Sequence, residues 1–140
     1  EALEAYDLLA ADGISARIIN MATIKPIDRD IIVKAAKETG CIVTAEEHSV
    51  IGGLGSAVAE VVTETCPVPV LKVGVYDRFG MSGPANDLLD IFGLRAKDIA
   101  AKAKDAIKAK AKYKAVMPIP FVTNANSEFL SINKIYYMGY

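Results

Sequence analysis

The stretch CIVTAEEHSVIGGLGSAVAEVVTETCPVPVLKVGV, residues 41–75, decides the fold. Cys41 to Ala45 is apolar apart from one threonine and reads as a short strand buried on both faces. A polar and then glycine-rich loop follows its end. Leu54, Ala57, Val58, Val61 and Val62 then recur at the spacing of one helix face. Cys66-Pro67-Val68-Pro69 breaks that helix, because proline has no N–H to donate and crowds the preceding turn. Val70 to Val75 is a second apolar strand. A strand, helix and strand in this order imply a parallel crossover, and a parallel sheet needs helices on both faces.

The rhythm continues outward in both directions. Upstream, Glu1 to Ala11 reads as an amphipathic helix with Leu3, Tyr6, Leu9 and Ala10 on one face, closed at Asp12-Gly13. Ser15 to Met21 is a strand, followed by a turn at Lys25-Pro26. Asp28 is placed to cap a helix carrying Ile31, Ile32, Ala35 and Ala36, which Gly40 ends. Downstream, the polar loop from Asp77 to Gly83 leads to a helix opened by Pro84 and closed by Gly93. A last helix runs from Ala96 to about Tyr113, with Ile99, Ala103 and Ile107 inward and lysines outward. The expected architecture is α/β: a three-layer α/β/α arrangement around a mostly parallel sheet. Residues 114–140 break the rhythm. They hold five of the ten aromatics with two lysines, Lys114 and Lys134, and read as an atypical tail.

Composition narrows the function classes. The chain has 140 residues, enough for one domain, and is 52% apolar and 24% charged, so it can bury a core. No apolar run reaches the ~18 residues that cross a bilayer, and the first residues lack the basic and apolar regions of a signal peptide. Two cysteines and one histidine build neither a disulfide framework nor a zinc site. Cys41 and Cys66 are expected as packing residues in a reducing, cytoplasmic setting. The net charge of −1 hides a split: residues 1–94 sum to −7 and residues 95–114 to +6. The Lys97–Lys114 face carries no interleaved aromatics for base stacking, so it reads as a solvated helix face, with no nucleic-acid or membrane partner implied.

In open parallel sheets, sites form where loops leave the carboxyl ends of the strands. Two loops qualify. Glu46, Glu47 and His48 could form a general base with its orienting carboxylate, or a polar strand end with a structural histidine. Beyond them, Gly53 and Gly55 resemble the opening of a dinucleotide fingerprint, but six residues separate the turn from the strand and Val58 stands at the last position. The glycines read better as a loop that opens a helix with exposed amides, which could hold an anion. In the second loop, Arg78 with Ser82 and Gly83 could grip a phosphate or carboxylate, or fix the loop itself. No complete catalytic set is visible.

The blocks IVTAEEHSVIGGLGSAVAEVV, VPVLKVGVYDRFGMSG and LLDIFGL, with ISARIINMATIKPID upstream, resemble the C-terminal domain of transketolase. The likeness covers about residues 1–113 and is closest to the C-terminal section of split, two-subunit forms. Deoxyxylulose-phosphate synthase and the β subunits of 2-oxoacid dehydrogenases share the domain. The resemblance implies a thiamine-diphosphate enzyme that moves two-carbon ketol units between sugar phosphates, with Mg2+ or Ca2+ holding the diphosphate. It further implies that cofactor and metal are bound by other domains. This chain would then be inert alone, pack against N-terminal transketolase domains or a separate subunit, and belong to a homo- or hetero-oligomer. His48 or Arg78 would at most line an approach to the active site. In the family a buried central strand precedes the first helix, whereas Glu1 already lies in that helix. The sheet is therefore expected to close up, to receive a strand from another chain, or to be filled by residues 117–125. A free-standing module that holds a phosphorylated ligand at the glycine loop and Arg78 is the alternative of another class.

Overall fold

The computed structural model describes residues 1–116 and, for the backbone alone, 134–139. Five helices and four strands alternate along it: α1 (Ala2–Ala11), β1 (Ser15–Asn20), α2 (Arg29–Thr39), β2 (Ile42–Ser49), α3 (Leu54–Thr65), β3 (Val70–Val75), α4 (Ala85–Phe92), α5 (Ala96–Val116) and β4 (Lys134–Gly139). The predicted caps form. The Asp28 carboxylate accepts the Ile31 N–H at 3.1 Å to start α2, and Gly40 ends that helix in the left-handed region at φ 72°, where a side chain would be strained.

The strand order is β1-β4-β2-β3 and every pairing is parallel. Alternation along β2 sends successive side chains into two different cores. Cys41, Val43 and Ala45 join Ala5 and Leu9 of α1 and Ile99, Ala103 and Ala106 of α5. Ile42 joins Ile32, Ala35 and Ala36 of α2 and Val58, Val61 and Val62 of α3. The result is the three-layer α/β/α arrangement expected from the sequence. Each fully buried valine or isoleucine contributes about 1.5–3 kcal/mol, which makes these two layers the main source of stability. The alanine face of α5 lets that helix approach the sheet closely.

Three boundaries differ from the sequence reading. Strand β2 is not over at Ala45. It runs on through Ser49, with its register against β3 shifting between Ala45 and Ser49, so Glu46, Glu47 and His48 are strand residues. Helix α5 extends to Val116, since Lys114 and Ala115 are as compatible with helix as the residues before them. The third difference is the largest. The sheet does not close up between β1 and β2: residues 134–139, part of the stretch read as an atypical tail, pair there. Ser15–Asn20 pairs with Lys134–Gly139, and Ile42–Ala45 pairs with Tyr136–Gly139. Residues 117–125, the expected filler, lie outside the described residues.

The lysine face of α5 has local partners: Lys104 with Asp12 at 2.7 Å, Lys108 with Asp105 at 3.0 Å and Lys97 with Asp90 at 3.4 Å. Exposed pairs of this kind are worth at most about 1 kcal/mol each, as befits a solvated face. Arg95 ties three helices together, bonding Glu1 and Asp90 with its guanidinium while the Glu1 carboxylate also accepts the Ala96 N–H at 2.6 Å. The backbone bond from Ala96, and then Arg95, hold the Glu1 carboxyl below its ordinary pKa.

One lysine breaks the pattern. Lys110 is only 7% exposed, and its stem packs over Gly40 beside Cys41. Burial lowers its pKa; the Cys41 thiol opposes that shift and Lys114 adds to it. Because the folded chain disfavours the charged amine, stability is reduced below the folded pKa and recovers as pH rises toward the ordinary value of 10.5. Lys110→Met is therefore expected to raise the melting temperature at pH 7. The gain over the parent should shrink steadily as melting is repeated up to pH 10.5.

Candidate functional site

The carboxyl ends of β1, β2 and β3 open into a cleft of about 330 Å3, walled by Ile18, Ile19, Ala45 and Val73 and rimmed by Asn20, Glu46 and Glu47. Strand β4 ends between β1 and β2 at this same edge. The first candidate loop begins here, and its geometry is set by one buried carboxylate. Glu46 accepts the Leu54 N–H at 2.7 Å on one oxygen and the Gly55 N–H at 2.9 Å on the other, with 2% of its side chain exposed. It thus cancels the positive end of α3 from within the fold.

This corrects the expectation of exposed amides. The helix start that could have held an external anion already holds Glu46. The glycines follow from the same contact: a Cβ on Gly53 would lie 2.0 Å from a Glu46 oxygen and 2.6 Å from the Ser49 carbonyl oxygen. On Gly55 it would lie 2.7 Å from the Thr44 hydroxyl and 2.8 Å from the stem of Lys72. The pattern is a packing signature.

Lys72, which the sequence reading did not single out, fastens the loop from β3. Its ammonium donates to the Val50 carbonyl at 3.2 Å and to Ser56 Oγ at 3.1 Å. Ser56 Oγ also accepts the Gly52 N–H and donates to the Val50 carbonyl, both at 3.1 Å. A lysine inside an apolar strand is the signal that could have found it, since such an amine needs acceptors on the neighbouring loop.

His48 lies on the outer side. Its Nδ1 is 2.9 Å from the Ser49 carbonyl and 3.9 Å from Glu46, and two thirds of the side chain is exposed. A carbonyl only accepts, so the neutral ring carries its proton on Nδ1 and presents Nε2. The Glu46–His48 separation is longer than a hydrogen bond, and Glu47 is exposed at the cleft rim. In the second loop, Arg78 donates to the Ile91 carbonyl and sits 4.3 Å above the Phe92 ring, so its guanidinium fixes the loop to α4. Ser82 and Gly83 are exposed. The fold thus brings Glu46 and Glu47 to the cleft and leaves Arg78 and Ser82 in a separate loop on the same edge. No group of three or more histidine, cysteine, aspartate or glutamate side chains among the described residues is placed to hold a metal ion.

Beside the exposed Glu47, His48, Asp77 and Ser82, these loops also show apolar side chains outward. Phe79 is 99% exposed, and Ile51, Tyr76, Met81 and Ile91 are at least half exposed. They cluster on the two loops at the ends of β2 and β3 and on the adjoining α4.

Comparison with known proteins matches residues 1–99 to the family described as transketolase, C-terminal domain. The chain is 48% identical over 110 residues to a 6-deoxy-6-sulfo-D-fructose transketolase subunit of Clostridium sp. (strain MSTE9), covering 79% of this chain and 34% of that protein. It is 47% identical over 109 residues to a putative transketolase C-terminal section of Methanocaldococcus jannaschii, with 77% and 34% covered. A 1-deoxy-D-xylulose-5-phosphate synthase of Heliobacterium modesticaldum is 39% identical, with 84% and 19% covered. Among solved structures, a split-gene transketolase described as an inactive beta4 tetramer is 57% identical with a TM-score of 0.75, covering 78% of this chain and 36% of that one. The chain thus spans about a third of the length of the transketolase relatives it matches.

The Glu46 network has a measurable consequence. Glu46→Gln turns an N–H donor toward an N–H donor and should lower stability by about 1.5–3 kcal/mol in urea unfolding. Gly53→Ala should cost about 1–3 kcal/mol through the same contact. His48→Ala, on the exposed side, should change stability by less than about 0.5 kcal/mol.

Proposed function

The chain belongs to the transketolase C-terminal domain family, and on that premise we propose that it serves assembly within a thiamine-diphosphate enzyme that transfers two-carbon ketol units between sugar phosphates. The observation that carries this reading is the character of the two loops at the carboxyl edge. Their polar groups are largely satisfied from within, by Glu46, Lys72 and Ser56, while Phe79, Met81, Tyr76 and Ile51 face outward. An edge of that kind is built to be covered by another protein surface rather than to bind a small polar ligand. The same observation weighs against a free-standing phosphate-binding module, because the helix start is occupied and Arg78 is spent on Ile91 and Phe92.

The residues described here do not fit thiamine diphosphate. The helix start that could cradle a diphosphate is filled by the Glu46 carboxylate, and no metal-holding cluster stands beside it among the described residues. We assign cofactor and Mg2+ to the N-terminal transketolase section, as a separate subunit or as domains of a longer chain, and no step of the reaction to this one. Relatives named as transketolase subunits support a hetero-oligomer. A cytoplasmic location accords with Cys41 and Cys66 lying outside any disulfide. No helix among the described residues is long and apolar enough to cross a membrane. Ketol transfer is proposed from the relatives named as transketolase subunits, which are printed with different sugars, so no particular sugar is assigned. His48, with Nε2 outward, would line the approach to the active centre without acting in it.

The test is reconstitution with the N-terminal transketolase section of the same source. Neither part alone should transfer a ketol unit, and the mixture should co-elute and do so with added thiamine diphosphate and Mg2+. Activity of the isolated chain, or failure to form a complex, would overturn the proposal. Phe79→Asp should weaken the complex about 30-fold, corresponding to a contact of about 2 kcal/mol, with unchanged circular dichroism. His48→Ala should preserve both complex and most turnover; loss of turnover with the complex intact would make His48 catalytic.

A further inference from the structure

The sheet has two outer edges, and they are built differently. Among the described residues β3 pairs only with β2, and β1 only with β4. β3 is entered through Pro67 and Pro69 and pairs through a register shift, two features that discourage a further strand. β1 has neither. Its residues Ser15–Asn20 hold one unbroken register and include no proline or lysine, and their single charge, Arg17, turns onto Glu38 of α2 at 2.8 Å. Alternate N–H and C=O groups along such a strand point away from the sheet and call for a partner.

Helix α1 adds an apolar shoulder to that edge. Ala5 and Leu9 face the core, while Glu1 and Asp12 reach Arg95 and Lys104 and so mark the flank beside α5. Leu3, Tyr6 and Ala10, at i, i+3 and i+7, fall on the opposite flank. That flank lies on the β1 side, because α5 covers β2 and β3 while α1 packs on β1. Leu3 is 74% exposed and Tyr6 42%, and Tyr6 borders a crevice with Ala16 and Ile18 of β1. On the other face of β1 stands the partly exposed Arg17–Glu38 pair. A strand laid along this edge meets apolar side chains on one face and a neutral ion pair on the other.

The shoulder is joined to the surface that the assembly reading gives to a partner. Arg95 bonds the Glu1 carboxylate at the start of α1, and also Asp90 and the Asn86 carbonyl of α4, the helix that carries the half-exposed Ile91. A partner that covers α4 therefore comes up against the start of α1, from which Leu3 and Tyr6 lead to β1.

We infer that the outer edge of β1 and the Leu3–Tyr6 shoulder receive an extended segment of the N-terminal transketolase section, added to the sheet as a further strand. The inference rests on the assembly reading and gives it a second contact, away from the Phe79 loop. Backbone pairing along β1 supplies the affinity and alternation supplies the selectivity. The segment carries apolar residues at every second position, toward Leu3 and Tyr6, and polar ones between them, toward Arg17 and Glu38.

The test is hydrogen exchange, read by mass spectrometry on the full chain alone and in the reconstituted complex with the N-terminal section. Exchange within residues 15–20 should slow about 100-fold in the complex. Leu3→Glu combined with Tyr6→Glu, both on exposed helix positions, should keep the circular dichroism of the parent and weaken the complex about 10-fold. In that variant the slowing within 15–20 should largely disappear while the Phe79 loop stays protected. A complex in which 15–20 exchange as in the free chain overturns the inference and leaves the assembly reading standing. Failure to form any complex removes the assembly reading, and the inference with it. If 15–20 slow in the free chain as its concentration rises, with sedimentation as a dimer and no further change on adding the N-terminal section, the edge belongs to a second copy and the inference is overturned.

Discussion

An interior strand of a parallel sheet must satisfy its backbone on two edges and cover both of its faces, and that double requirement organises this molecule. β2 meets it most fully. Its edges are held by β3 and β4, and its faces by Val43 toward α5 and Ile42 toward α2 and α3. The helices owe their positions to these faces. The alanine stripe of α5 and the Ala35-Ala36 pair of α2 are small because the layers must come close to the sheet. β4 occupies its place for the same reason: with β1 and β2 set one strand apart by the helical layers, the backbone groups lining the gap have to be paired.

At the carboxyl edge the deciding contact is the Glu46 carboxylate on the first amides of α3. A buried carboxylate is costly unless fully bonded, and a helix start offers the donors that a single acid can use. Once Glu46 is there, Gly53 and Gly55 have no room for a side chain, and Lys72 with Ser56 closes the loop from below. A segment that resembles a ligand-binding loop becomes a rigid platform. Its rigidity lets Ile51 and the neighbouring Phe79 loop present apolar side chains to water, a state that makes sense for a surface awaiting a partner.

Much of this was legible in order of residues. The strands around Val43 and Val73, the Asp28 cap, the Gly40 stop and the two loops at one edge all follow from local chemistry, as does the family likeness carried by EEH, GGLG and DRFG. Less was legible at the site. Glu46 and His48 look like a pair in sequence, and regular alternation would put them on one face, but the register shifts between Ala45 and Ser49; Glu46 is buried on the start of α3 while His48 stays largely exposed, 3.9 Å away. Arg78 looks like an anion grip, yet its nearest partners are a carbonyl and an aromatic ring on α4.

The sequence by itself determined the fold class, the helical layers and the edge where the loops gather, because hydrophobic period and turn residues act within a few positions of each other. Only the tertiary structure decided which polar groups those loops would satisfy internally, and that a stretch with the composition of a tail would sit inside the sheet. Both outcomes depend on groups far apart in the chain meeting in space. Strand pairing runs through backbone atoms that every residue carries, so no side-chain pattern in residues 134–139 had to announce it.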